Sequence, residues 1–216
     1  VPITDLIESQ LGASAQLRNE PVQARSTARL TALLDAAAAA VDELGYERLT
    51  TAMVAERAGA SIGTVYRYFP DRIAVLQALA SRNLERVLTS VHEAISDPAA
   101  TTWLAAVDGA FAAFVEAFRS EPGFASLRSG DVIDLRPAPL PTTFNSRVSD
   151  AILTMLSERF GIEKSADHLF ALENAIEVSD ALIARAFARD AAGDAAFLAS
   201  ARSIVRDILE KAFGPA

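Results

Sequence analysis

The sequence predicts an all-α chain, and three observations predict it. Apolar residues make up 51% of the 216 positions, and they recur at steps of three and four, the spacing of one buried helix stripe. Much of that content is alanine, which loses no side-chain entropy in a helix. The ten glycines and nine prolines fall mostly between the periodic runs, where they act as punctuation. No alternating pattern of strand type and no internal repeat interrupts this reading.

The first predicted helix covers residues 26–45, with Leu30, Leu33, Leu34, Ala37, Val41 and Leu44 on one stripe and Gly45 as its stop. The run of alanines from Ala36 to Ala40 reads as a small-residue face on that helix. Thr50 or Thr51 caps a second helix ending at Arg57 and Ala58, with Met53, Val54 and Ala58 expected inward. Gly59 closes it. Ser61 caps a third helix that Pro70 ends, and Asp71 caps a fourth running from Arg72 to about Ser96.

After Asp97-Pro98 the pattern lengthens. Trp103, Leu104, Val107, Phe111, Phe114, Val115 and Phe118 define a helix over 101–120, Glu121-Pro122-Gly123 breaks it, and a brief helix covers 124–127. Residues 129–141 hold Gly130 and three prolines and read as a loop. Further helices are expected over 142–160, 165–189 and 194–213. The first twenty-odd residues carry Ile3, Leu6, Ile7 and Leu11 at helical spacing, which suits a docked tail, while Arg18 and Arg25 suit an arm laid along a partner.

Composition narrows the function classes. The chain has no cysteine, which removes disulfides, thiolate metal sites and a cysteine nucleophile. No uncharged apolar run is long enough for a membrane span and no signal-peptide order opens the chain, so no membrane partner and a cytoplasmic location are expected. The net charge of −8 is uneven. Residues 21–72 balance six arginines against six acids, whereas residues 73–216 are net −6. An acidic body can stay clear of a polyanion while a neutral module presents its arginines to it.

The most informative stretch runs from Leu49 to Arg72: Leu-Thr-Thr-Ala-Met-Val-Ala-Glu-Arg-Ala-Gly-Ala-Ser-Ile-Gly-Thr-Val-Tyr-Arg-Tyr-Phe-Pro-Asp-Arg. A supporting helix, a tight turn at Gly59 and a short second helix make a helix-turn-helix, whose small N-terminal half suits a DNA major groove. Gly63 lowers helix propensity without adding packing, which points to close approach by something from outside. Phe69 is expected to be core, and Ser61 a cap rather than a base reader.

In its A-G-x-S-x-G-T-V-Y-x-Y-F-P-x-R string, preceded by T-x-x-x-V-A, this stretch resembles the N-terminal signature of the TetR family of transcriptional regulators. The likeness covers about residues 25–79. It departs at Arg72, where the family commonly has lysine, and this changes the contact geometry. The resemblance implies that Thr51 and Tyr66 or Tyr68 touch DNA phosphates, that Thr64, Arg67, Ile62 and Gly63 meet base edges, and that Arg72 holds a phosphate. It implies an N-terminal extension over 1–24, a three-helix DNA-binding domain over 25–71 and a helical ligand-binding and dimerisation domain over 72–216. The last two long helices would form a four-helix interface in a homodimer, placing two reading helices about 34 Å apart on a palindromic operator. The leading expectation is repression relieved by a small, largely apolar effector; the alternatives are a ligand-independent repressor or an activator and, from another class, a helical small-molecule carrier or enzyme.

Trp103, Phe111, Phe114, Phe118, Phe124, Leu127 and Phe144 either line an effector cavity or pack the core. Glu173 and Glu177, four apart, either anchor a polar group of that effector or stand in solvent. His92 and His168 lack partners at metal-ligand spacing, so no metal is expected, nor a cofactor. No nucleophile motif, phosphate-binding glycine loop or H-E-x-x-H string is read from the chain, so no enzyme is expected.

Overall fold

The computed structural model describes residues 20–127 and 144–215, with side chains over 25–127, 145–146 and 148–215. The expectations for residues 1–19 and for the 129–141 loop lie outside the described residues. Among the described residues the chain forms α1 (Glu20–Leu44), a 3-10 turn (Tyr46–Arg48), α2 (Thr51–Arg57), α3 (Ile62–Tyr68), α4 (Arg72–Ser96), α5 (Trp103–Ser120), α6 (Phe124–Leu127), α7 (Phe144–Phe160), α8 (Ala166–Arg189) and α9 (Ala195–Phe213), with no strand. The all-α expectation therefore holds. Only α1 differs appreciably in extent, starting at Glu20 rather than near Ser26.

The helix starts follow from their caps. Thr50 accepts from the Met53 amide at 3.2 Å, Ser61 from the Thr64 amide at 3.1 Å, and Asp71 from the Ala74 amide at 2.8 Å. Each satisfies an amide that the first turn leaves without a helical partner. Ser165 and Asp194 do the same for α8 and α9.

The described chain divides into two compact units, one built from residues 20–84 with 121–127, the other from 85–120 with 144–215. The division falls inside α4. In the first unit, Leu33, Ala37, Val41, Val54, Val65, Phe69, Leu76 and Leu79 close one core, with Leu127 of α6 included. Val54 and Ala55 are the buried residues of α2, whereas Met53 and Ala58 are half-buried. This corrects the inward placement of Met53: a seven-residue helix turns only about two residues toward the core, and Ala55 takes the second place. The alanine run serves as read, with Ala36, Ala37, Ala38 and Ala40 buried. A Cβ on Gly123 would lie 3.2 Å from the Ala38 carbonyl oxygen and from the Val41 side chain, and its amide donates to Asp42 at 3.1 Å. Small side chains on both partners allow that approach.

The second unit packs α8 against α9 through Leu172, Ala175, Ile183, Ala186, Ala201, Val205 and Leu209. Trp103 of α5 meets Phe213 edge-on at 5.4 Å, and Phe118 stacks on Phe187 at 5.4 Å. Polar clamps join the helices at the rim. Asp108 accepts from Arg202 at 2.9 Å and from Arg206. Arg159 of α7 donates to the carbonyls of Ile95, Asp97 and Ala100 at and beyond the end of α4, of which Asp97 also accepts from the Ala100 amide at 3.0 Å.

Candidate nucleic-acid interface

Local chain chemistry explains how α3 is presented. Gly59 has φ of +58°, a left-handed value that an L side chain rarely adopts, and the chain reverses there between α2 and α3. Within α3 only Val65 is buried, and Phe69 just beyond it is 4% exposed. These two residues anchor the helix by one side. The opposite side projects: Ile62 is 42% and Tyr66 54% exposed, and Gly63 and Arg67 also stand in solvent. Burying large apolar surface is normally favourable, so an exposed isoleucine beside an exposed tyrosine marks a surface shaped for something other than this unit's core.

Gly63 reinforces that reading. Its φ is not among the positive values, and an added Cβ would meet nothing nearer than the Ser61 hydroxyl at 3.8 Å. The fold itself does not require glycine at this position. Thr64 is half-buried, its hydroxyl 2.9 Å from that of Ser61.

The three remaining candidates for phosphate contact separate by hydrogen bonding. Thr51, half-buried at the start of α2, donates its hydroxyl to that of Tyr66 at 3.4 Å, so two helices bring these groups together at the surface. Tyr68 is half-buried, and its hydroxyl lies 3.2 Å from the Ser26 hydroxyl and donates to the Ser26 carbonyl at 3.5 Å. Arg72 donates to the carbonyls of Glu47 at 2.7 Å and Tyr46 at 3.5 Å. Arg72 reaches two of the three carbonyls of the 3-10 turn through one guanidinium nitrogen, Nη1.

Two features escaped the reading of the sequence. Residues 59–63 do spell G-x-S-x-G, Gly-Ala-Ser-Ile-Gly, so the expectation that no nucleophile motif is present is corrected. The string here joins two helices instead of a strand and a helix, and Ser61 spends its hydroxyl on capping Thr64, unlike the exposed nucleophile of an elbow. The second feature is a basic groove beside α3, bordered by Arg25, Ser26, Arg29, Arg67 and Tyr68. Arg29 stands one helical turn after Arg25, a spacing that could have been noticed.

The candidate effector contacts fall in both units. Leu127 belongs to the core of the first unit, and Phe124 sits buried on the same short helix. In the second unit Trp103 and Phe118 are buried, Phe111 and Phe114 half-buried. Phe114 meets Phe118 edge-on at 5.4 Å, which with Phe187 makes a three-ring cluster. Glu173 is half-buried, and Glu177 is exposed and accepts from Asn145 at 2.7 Å. The side chain of Phe144 lies outside the described residues. His92 contacts the Met155 sulfur at 3.0 Å, while His168 Nδ1 pairs with the Glu163 carbonyl at 2.7 Å and its ring abuts Phe213. Among the described residues no group of three or more metal-ligating His, Cys, Asp or Glu side chains is found, and no helix is long and apolar enough to cross a membrane.

Comparison with known proteins places these features in a family. Residues 33–79 match the family described as bacterial regulatory proteins, tetR family, and residues 101–213 match the tetracyclin repressor-like C-terminal domain. The HTH-type transcriptional repressor KstR of Mycolicibacterium smegmatis is 38% identical over 82 residues, covering 38% of this chain and 35% of that protein. The chain thus spans about a third of the length of the curated relatives it matches. A TetR-family transcriptional regulator from Streptomyces coelicolor superposes with a TM-score of 0.71 at 32% identity, over 85% of this chain and 99% of that one. The regulator FadR of Bacillus subtilis, solved with stearoyl-CoA, shares the fold at 19% identity and a TM-score of 0.62, over 83% and 97% of the two chains. With one match spanning just over half of its length and a second lying across the helix-turn-helix, the chain belongs to the TetR family.

Proposed function

We propose that this protein is a DNA-binding transcriptional regulator, a repressor that a small, largely apolar effector releases from a palindromic operator. The observation that carries the reading is α3: Val65 and Phe69 root it in the core, while Ile62, Gly63, Tyr66 and Arg67 are exposed on its outward side. Thr64, Arg67, Ile62 and Gly63 meet base edges in the major groove, and Arg67 can give a guanine two hydrogen bonds, worth about 1–3 kcal/mol of discrimination. Thr51 and Tyr66 hold a phosphate through their paired hydroxyls. Phosphate contacts set the register and base contacts the sequence.

The domain division proposed is 25–71 for DNA reading and 72–216 for effector binding and dimerisation, with 1–24 as an extension. The homodimer forms through α8 and α9, a reading supported by Phe170, 65% exposed on α8, and Ile204, 36% exposed on α9. Effector contacts are drawn from Trp103, Phe111, Phe114, Phe118, Phe124, Leu127 and Phe144, with Glu173 or Glu177 as polar anchor. Coupling runs through α4, the one helix among the described residues with residues in both units. An effector that reverses a 99:1 preference for the DNA-competent dimer must favour the other state by about 5.5 kcal/mol.

The test is electrophoretic mobility of an operator obtained by selecting bound duplexes from a random-sequence pool. The T64A/R67A variant is expected to lose the selected sequence while keeping its thermal midpoint. Normal retention of that duplex by the variant would defeat the assignment of α3 as the reading helix. Reporter output that rises with the gene deleted identifies a repressor, and output that falls identifies an activator.

A further inference from the structure

Beside α3 lies an open groove of about 690 Å3 that brings together three arginines from two helices: Arg25 and Arg29 of α1 and Arg67 of α3. All three are exposed, and none takes part in an ion pair among the described residues. Three other arginines of the same unit are committed, Arg57 to Glu43, Arg82 to Asp35 and Arg72 to two backbone carbonyls, and exposed Arg48 does not border the groove. Three like charges converging on one concavity repel one another and favour an anion.

We propose that this groove is a cradle for the phosphodiester backbone of duplex DNA flanking the bases read by α3, with Arg25 and Arg29 as its phosphate ligands and Tyr68 as the residue that positions them. The proposal rests on the DNA-binding reading above and adds to it a second contact surface on α1.

The shape of the groove suits a continuous polyanion. Its floor includes Ala28 and Ala32, side chains too short to obstruct a backbone lying across them. Arg25 and Arg29 are separated by about 6 Å of helix axis, and one strand of a duplex carries a charge about every 3.4 Å. Two long side chains that far apart can each neutralise a separate phosphate of one strand. Arg67 borders the groove from α3, so the charged wall continues into the exposed reading face.

Tyr68 supplies the geometry. Its hydroxyl, tied to the hydroxyl and carbonyl of Ser26, fixes the turn of α1 that carries Arg25 against the last turn of α3. The Arg67 guanidinium rests 5.6 Å from the centre of the Tyr68 ring, a cation–π distance. One side chain thus sets the spacing between the α1 arginines and the reading helix. This gives Tyr68 a positioning role, distinct from the direct phosphate contact drawn for it from the family resemblance.

The full-length chain is titrated at several KCl concentrations with the selected operator and with a scrambled duplex of equal length. Four variants are compared with the unaltered protein: R25A/R29A, R25K/R29K, Y68F and R67A. For R25A/R29A the expected result is at least tenfold weaker binding of both duplexes by the same factor, with the slope of log K against log salt reduced by about 0.9 for each phosphate that is no longer neutralised. R25K/R29K retains the slope, because lysine keeps the charge. Y68F shifts in the same direction by a smaller factor, and adds nothing on the R25A/R29A background. R67A instead narrows the ratio between operator and scrambled duplex. An unaltered slope in R25A/R29A, with the unaltered protein binding its operator normally, overturns the cradle and leaves the assignment of α3 standing. So does protection of the groove arginines by inorganic phosphate with duplex affinity unchanged in the variant. Failure of the unaltered protein to retain any duplex from the pool removes both.

Discussion

The hydroxyl of Thr51 donates to that of Tyr66 at 3.4 Å, joining the first residue of α2 to the exposed middle of α3. The Tyr66 ring is more than half in solvent, so this hydrogen bond contributes little to the core and leaves a phenol on the surface with acceptor and donor capacity to spare. Y66F keeps the ring and removes that capacity. Operator affinity is expected to fall about five- to tenfold, near the 1 kcal/mol of a typical hydrogen bond, with the thermal midpoint unmoved. A lowered midpoint with full affinity would make the pair a purely structural contact.

Gly63 offers a variant whose effects on stability and on function have opposite signs. Alanine fits the space, since only the Ser61 hydroxyl lies within 4 Å of the added Cβ, and it raises helix propensity by about 0.5–1 kcal/mol. G63A is therefore expected to unfold at slightly higher urea while binding operator at least tenfold more weakly, because the new methyl intrudes where a base edge approaches. Urea titration and gel mobility on one preparation decide it; undiminished operator binding would show that nothing approaches Gly63 closely.

Asp108 carries the clearest pH dependence. Burial pushes its carboxyl up, but hydrogen bonds and charge from Arg202 and Arg206 outweigh this and hold it below its ordinary 3.8. A carboxyl with a depressed folded-state pKa binds protons less readily than in the unfolded chain, so its contribution is complete above about pH 4 and disappears as pH falls through the folded value. Both arginines stand about half in solvent, which keeps the expected contribution to about 1–2 kcal/mol for the pair of contacts. D108N should cost that much at pH 7 and progressively less toward pH 3. Chemical denaturation at the two pH values measures it, and a constant difference would refute the linkage.

Arg159 ties α7 to the end of α4 in the second unit. Its guanidinium serves the carbonyls of Ile95 and Asp97, and that of Ala100 at 2.8 Å, acceptors at and beyond the end of α4 that no helical amide can reach. R159A is expected to lower stability by about 1–3 kcal/mol, because the carbonyls of Ile95 and Ala100 lose this donor while Asp97 keeps the Ala100 amide. Hydrogen exchange should speed up in the last turn of α4. R159K, a point charge without the planar fork, should recover only part of that stability.

Much of this protein is settled locally, which is why its chain sequence is so informative. A cap such as Thr50, Ser61 or Asp71 acts on an amide three residues away, and Gly59 needs only its own positive φ; such signals survive in a one-dimensional string. The helix-turn-helix and the outward face of α3 follow from them together with the inward pair Val65 and Phe69. The tertiary structure decided what depends on residues far apart. It alone brought Arg25 and Arg29 beside Arg67, turned the Tyr68 hydroxyl to Ser26 across 42 residues, committed Arg72 to the 3-10 turn, and assigned Phe124 and Leu127 to one unit while the remaining aromatic candidates with described side chains fell in the other. An aromatic at helical spacing has the same pattern in a sequence whether it packs or awaits a ligand, because periodicity reports which face is apolar and carries no information about what covers it.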